Sequence, residues 1–225
     1  MRVYPLLAGE FEAKDSTSFR GGNPDLTVWY ASYVFYIEGA GQKILVDTSF
    51  TDPQVCLERM DHRCRRPECT SVPELLAARG VKPEEIEAVV LTHCHWDHIG
   101  GLSLFPNARV YCQRAEVAWS LAPPSWMASA YPKALSDSLP SVGERLTVLD
   151  GDYQLEKGIR LLLVGAHSPG SQMVEVRGDG GRTILITGDA VLHYANLEKQ
   201  IPIGTYHSLE TAMAVLANLR RRFLE

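Results

Sequence analysis

The chain predicts an α/β fold in which apolar strands build sheets that are covered by helices. Two observations carry that expectation. Strand-like and helix-like segments are mixed along the 225 residues, and the strands are apolar, so the sheets need helical layers over them. A strand–turn–strand pattern also recurs. Segment 33–38, the turn Gly39-Ala40-Gly41 and segment 43–46 stop at Asp47; much later, segment 172–177, the turn Gly178-Asp179-Gly180-Gly181 and segment 182–186 run into Gly188-Asp189. Each reads as a hairpin whose apolar second strand ends on an acid. Two halves of similar plan are expected.

The other elements follow in order. Segment 71–79 has apolar Val72, Leu75, Leu76 and Ala78, with Gly80 where a helix C′ residue belongs. Segments 88–92, 109–112, 145–149 and 159–164 read as strands, and 113–120 as a short helix. Segment 209–224 places Leu209, Ala212, Met213, Leu216, Leu219 and Phe223 at a spacing near 3.6, with Ser208 as N-cap. Residues 121–140, with Pro123, Pro124, Trp126, Tyr131, Pro132 and Pro140 and no clear period, predict a binding loop or a packed lid.

Composition narrows the function. A 225-residue chain with 45% hydrophobic residues buries a core without staples, so a single domain over 1–225 is expected. The net charge of −5 offers no footprint for nucleic acid or an anionic membrane. No apolar run suggests a signal peptide or a membrane span, and five cysteines at irregular spacing fit a reducing cytoplasm. Cys64 and Cys69 are close enough in sequence for a local bridge. Oligomeric state leaves no trace.

The chemistry lies in Leu91-Thr92-His93-Cys94-His95-Trp96-Asp97-His98-Ile99-Gly100-Gly101. An apolar strand delivers three of the seven histidines and a carboxylate within six residues, after which the two glycines let the backbone turn. Imidazole nitrogen is a strong zinc ligand and carboxylate oxygen completes such sites. His93 and His95, two apart on extended chain, point to one side. Cys94 points to the other.

This HxHxDH run resembles the metal motif of the metallo-β-lactamase superfamily. Three further features match in order: Asp47 in Leu45-Val46-Asp47-Thr48, His167 in Ala166-His167-Ser168-Pro169-Gly170, and Asp189 in Thr187-Gly188-Asp189-Ala190. Tyr4-Pro5-Leu6-Leu7, segment 44–50 and Tyr111-Cys112-Gln113-Arg114-Ala115-Glu116 are similar to the N-acyl homoserine lactone lactonase branch. The resemblance implies a four-layer αββα sandwich and two Zn2+ ions, with Mn2+, Fe2+ or Co2+ as alternatives. His93, His95 and His167 would hold the first ion, and Asp97, His98 and Asp189 the second. Asp47 would orient a ligand imidazole.

A lactone or related small-molecule ester would then be opened by a metal-bound hydroxide, with Asp97 as the catalytic proton carrier. Tyr194 and Trp126, with Trp119 and Tyr131, would contact the substrate. A thioester hydrolase resembling glyoxalase II and a non-catalytic metal-binding member are the alternatives. Departures exist. Ser49 stands where the branch usually has Gly, and Ser171 where a second histidine often follows. The sequence stops at Glu225 without the branch's last strand and last metal histidine, which leaves two expectations open: a sequence truncated relative to a natural protein, or an incomplete second site.

Overall fold

Short strands with apolar residues on both faces must be sandwiched, and the architecture follows from what covers each face. The computed structural model describes residues 1–66, 71–131, 139 and 142–224. Its strands are β1 (Arg2–Lys14), β2 (Thr27–Glu38), β3 (Ile44–Val46), β4 (Cys64–Arg65), β5 (Ala88–Val90), β6 (Arg109–Gln113), β7 (Leu146–Leu149), β8 (Tyr153–Glu156), β9 (Ile159–Leu163), β10 (Gln172–Arg177) and β11 (Thr183–Ile186). Among the described residues they form a seven-stranded sheet of order β4-β1-β2-β3-β5-β6-β7 and a four-stranded sheet of order β11-β10-β9-β8. In the larger sheet β3, β5, β6 and β7 run parallel, while β1, β2 and β3 form an antiparallel meander. The smaller sheet is antiparallel.

The helices are α1 (Asp15–Ser18), α2 (Pro53–Met60), α3 (Val72–Ala77), α4 (Trp96–Ile99), α5 (Arg114–Leu121), α6 (Tyr194–Lys199) and α7 (Leu209–Phe223). α3 begins with a reciprocal cap in which the Ser71 hydroxyl accepts from Glu74 N while the Glu74 carboxylate accepts from Ser71 N. α7 starts where Ser208 accepts the Thr211 N–H, as the sequence predicts.

Four layers result. Between the sheets, Ile37, Ile44, Val46, Ala88 and Val90 meet Ile159, Leu161, Val174, Val176 and Ile186. Their alternate neighbours Leu45, Val89, Leu91 and Val110 face outward onto Val72 and Leu76 of α3, together with Leu102 and Phe105. On the far side Met173 packs under Leu197 of α6 and Leu216 and Leu219 of α7. Burying one such aliphatic side chain stabilises by about 1.5–3 kcal/mol, so each layer holds the next firmly. The sandwich is the predicted αββα arrangement, although the two halves differ in size because β1 and β2 extend one sheet.

That extension shapes the cavity described below. β1 and β2 pair over nearly their whole length, and a bulge falls between Leu7, opposite Tyr33, and Gly9, opposite Ser32. Bulges bend and twist a hairpin, and the outer part of this one stands beside the ends of the central strands. The proposed partner of Cys64, Cys69, lies outside the described residues, as do 132–138 and 140–141 of the irregular loop.

Candidate metal centre

Every expected ligand follows a strand that ends on the same side of the sandwich. Asp47 follows β3, the run 93–98 follows β5, His167 follows β9 and Asp189 follows β11. β5 ends at Val90, and His93 and His95 lie on extended chain before α4, which carries Asp97 and His98. Gly100 and Gly101 adopt ordinary negative-φ conformations (Gly100 φ −62°, Gly101 φ −98°). The backbone turns at both, as expected, and they also admit a close approach: a Cβ on Gly100 would lie 2.3 Å from Thr51 N, and one on Gly101 2.5 Å from Thr48 O. The 47–51 loop therefore clasps the His98 turn, with Thr48 N donating to His98 O at 2.7 Å and Gly100 N to Ser49 O at 2.8 Å.

The structure brings the ligating atoms into two groups, each within 4.8 Å: His93, His95 and His167, then His93, His98 and Asp189. Asp189 reaches both. Its Oδ1 is 3.3 Å from His98 Nε2, and its Oδ2 is 3.7 Å from His167 Nε2 and 4.0 Å from His93 Nε2. Asp97, expected in the second group, adjoins it with Oδ2 3.6 Å from His98 Nε2. Outer contacts set the rings. His98 Nδ1 lies 2.8 Å from Asp47 Oδ2, and Asp47 also accepts from Thr92 N and Thr92 Oγ1, each at 2.7 Å. His167 Nδ1 donates to the Thr205 carbonyl at 2.6 Å. Both bonds turn Nε2 toward the centre.

The donor set fits a cation. Nε2 of His93 and of His95 is buried without a hydrogen-bond partner among the described residues, an arrangement that costs about 1–3 kcal/mol per group unless something else satisfies it. Burial, reinforced by neighbouring imidazoles, holds both rings well below the usual histidine pKa, so they present neutral lone pairs. Burial opposes charge on His98, but the carboxylates of Asp189, Asp97 and Asp47 outweigh it and favour positive charge there. Burial likewise opposes charge on Asp189, yet His98, His167 and His95 keep it below the carboxylate range. Asp97 is pushed up to about 6 by burial.

A cavity of about 590 Å³ opens over these groups. His95, Asp97, His98, His167 and Asp189 line its floor; Phe11, Tyr30, Tyr33 and Phe35 of the β1–β2 hairpin, Trp96, His62, Trp126 and Met127 form its walls. The hairpin wall was not anticipated, although Trp29-Tyr30 and Tyr33 with Phe35 are an aromatic run that could have signalled it. Trp126 lines the cavity. Tyr194 is not among the lining residues: it opens α6 next to the capping His193, at 78% exposure. Tyr131 is buried against His95, and Trp119 packs on Trp126, Tyr131 and His207 behind the wall. Cys94 faces the outer core, 3.5 Å from Cys112 Sγ, opposite to its histidine neighbours. No helix among the described residues is long and apolar enough to cross a membrane.

Comparison with known proteins agrees with this fold. An N-acyl homoserine lactonase of Bacillus cereus is 26% identical over 214 residues, spanning 92% of this chain and 80% of that protein. A structure of a mutant AiiA from B. thuringiensis with N-decanoyl-L-homoserine at its active site superposes with a TM-score of 0.81 at 23% identity, covering 98% of this chain and 87% of that one. A probable metal-dependent hydrolase from Staphylococcus aureus superposes with a TM-score of 0.85 at 18% identity, covering 99% and 85%. The profile of the Metallo-beta-lactamase superfamily matches residues 27–218, most of the described sandwich, and the chain belongs to that superfamily.

Proposed function

We propose that this protein is a metal-dependent hydrolase of lactones or related esters, of the N-acyl homoserine lactone class. The reading is carried by one observation: two groups of candidate ligand atoms, sharing His93 and both approached by Asp189, lie beneath an aromatic-walled cavity. The relatives named above support the substrate class. His93, His95 and His167 would hold one ion and His98 and Asp189 a second, with Asp97 beside it. Nitrogen-rich donors favour zinc, which supplies Lewis acidity toward a carbonyl and a water acidic enough to act near neutral pH.

The chain's own residues do the rest. Asp47 and the Thr205 carbonyl fix the His98 and His167 tautomers so that Nε2 faces inward. Asp97, buried at the cavity floor, takes the proton that the water gives up as it attacks the carbonyl and delivers it to the ring oxygen as the C–O bond breaks. The walls of Phe11, Tyr30, Tyr33 and Trp126 hold an acyl chain and exclude water from it.

Hydrolysis of a medium-chain acyl homoserine lactone and of a glutathione thioester, each assayed before and after chelation, tests this directly. Lactone opening that chelation abolishes is the expected result. A metal-replete protein that leaves the lactone intact would sink the reading, and preference for the thioester would transfer it to the glyoxalase II type.

A further inference from the structure

Beneath the centre lies a carboxylate that the chemistry above does not use. Glu116, on the first turn of α5, is fully buried. Among the described residues, four donors converge on it: Oε1 accepts from Cys94 N at 2.9 Å and the Tyr131 hydroxyl at 2.7 Å, and Oε2 from the Ser168 hydroxyl at 2.5 Å and Gly170 N at 3.2 Å. An ionised carboxylate only accepts, and two oxygens accommodate four such bonds. Burial and the adjacent Glu116 charge keep the Tyr131 phenol protonated, so it donates.

Three of the four donors come from the segments that carry the three histidines. Cys94 separates His93 from His95. Ser168 and Gly170 follow His167, whose Nε2 lies 2.9 Å from His95 Nδ1. Tyr131 packs edge-on against the His95 ring, centroids 4.6 Å apart. The His167 turn is pressed directly onto α5: a Cβ on Gly170 would lie 2.3 Å from Glu116 N, so only glycine admits this approach.

We propose that Glu116 is a positioning residue for the three-histidine group, setting the separation between the segment bearing His93 and His95 and the turn bearing His167. The proposal rests on reading that group as a cation site. Other bonds hold the strand roots together without it, since Gln172 N donates to Thr92 O at 2.8 Å and Gln172 Nε2 to Leu91 O at 2.7 Å. The fold therefore survives loss of the carboxylate while the spacing of the imidazoles relaxes. Glutamine in its place offers donors to donors, because the side-chain NH2 faces groups that already carry hydrogen.

The test is cobalt(II) binding by the metal-free protein, measured by competition with a chromophoric chelator and by the ligand-field spectrum, alongside thermal unfolding. Glu116→Gln is expected to fold, to bind cobalt roughly 10–100-fold more weakly, the usual effect of losing a supporting contact, and to change the spectrum. Tyr131→Phe and Ser168→Ala each lose a smaller part of the affinity. Leu76→Ala, which weakens the outer core far from the centre, keeps wild-type affinity. Wild-type affinity and spectrum in Glu116→Gln would overturn the proposal, as would an equal loss in Leu76→Ala. Should Glu116→Gln not fold, wild-type affinity in both Tyr131→Phe and Ser168→Ala overturns it instead. Failure of the unaltered protein to bind cobalt would defeat the metal-centre reading itself, which is a separate outcome.

Discussion

Asp47 grips His98 at Nδ1, the ring nitrogen opposite the Nε2 that faces Asp189, with its Oδ2 2.8 Å away, and the same carboxylate takes both the amide and the hydroxyl of Thr92. One acid thus joins the end of β3, the end of β5 and a candidate ligand ring. Asp47 holds a left-handed backbone (φ 60°), which asparagine and aspartate tolerate best. Asp47→Asn therefore keeps the backbone but presents an amide to groups that require an acceptor. Metal affinity at the His98 group is expected to fall about 10–100-fold, with zinc content after dialysis as the measurement. Full retention of two ions per chain would contradict the assigned role.

His93 belongs to both groups of ligating atoms, whereas His95 and His167 belong to one. His93→Ala is accordingly expected to empty the centre, while His95→Ala leaves part of the binding at His98 and Asp189. Bound metal also stabilises the native state, by about 2.7 kcal/mol at a free concentration of a hundred times Kd. Adding zinc to the metal-free protein should raise its melting temperature, and His93→Ala should abolish that rise. An undiminished rise in His93→Ala would place the metal elsewhere.

These residues were legible because their chemistry is concentrated: three imidazoles in six positions have few structural explanations. The apolar strands and α7 were legible from periodicity and from Ser208. Other features were not. β1 was missed because Pro5 and Gly9 interrupt its pattern, and only pairing with β2 makes it a strand. α2 was missed although Asp52 and Pro53 are a good start signal, the Asp52 carboxylate accepting from Gln54 N at 2.8 Å. Glu116 and the Thr205 carbonyl were invisible as site residues, since their partners are far away in sequence and one is backbone. The second demand on Gly100 and Gly101 was hidden for a similar cause: a close approach by the 47–51 loop cannot be read from the residues beside them.

Cys94 separates two candidate ligands yet lies in the outer core, fully buried beside Cys112. Cys94→Ala removes one sulfur from a packed interior, which costs on the order of 1 kcal/mol. Its backbone amide still reaches Glu116. Metal stoichiometry is expected to stay at the wild-type value while the melting temperature falls by a few degrees, and loss of an ion would show the thiol to be a ligand.

Ser49 occupies a left-handed conformation (φ 63°) and its hydroxyl pairs with Ser32 Oγ at 2.9 Å in a buried setting. Ser49→Gly relieves backbone strain of order 1 kcal/mol but leaves Ser32 short of a partner at a cost of about 1 kcal/mol. The two nearly cancel, so chemical denaturation should show a change within about 1 kcal/mol. Ser49→Val keeps the strain, adds β-branching and loses the bond, and a destabilisation of about 2–4 kcal/mol is expected. Equal stability of Ser49→Gly and Ser49→Val would refute the conformational account.

Trp126 and Tyr194 separate two views of where substrate lies. Trp126 is 63% exposed yet lines the cavity, braced by Trp119 at a ring-centroid distance of 5.9 Å; Tyr194 is 78% exposed outside it. Exposed side chains contribute little to folding, so Trp126→Ala should alter stability by about 0.5 kcal/mol or less. An acyl chain resting on the indole would lose apolar contact worth about 1–3 kcal/mol. The expected kcat/KM loss is therefore about 5–150-fold for a ten-carbon chain and much smaller for a four-carbon chain. Tyr194→Phe should leave both substrates unchanged. Steady-state kinetics across chain length decides: a Trp126→Ala loss independent of chain length, or a loss confined to Tyr194→Phe, would move the acyl site away from the β1–β2 wall and toward α6.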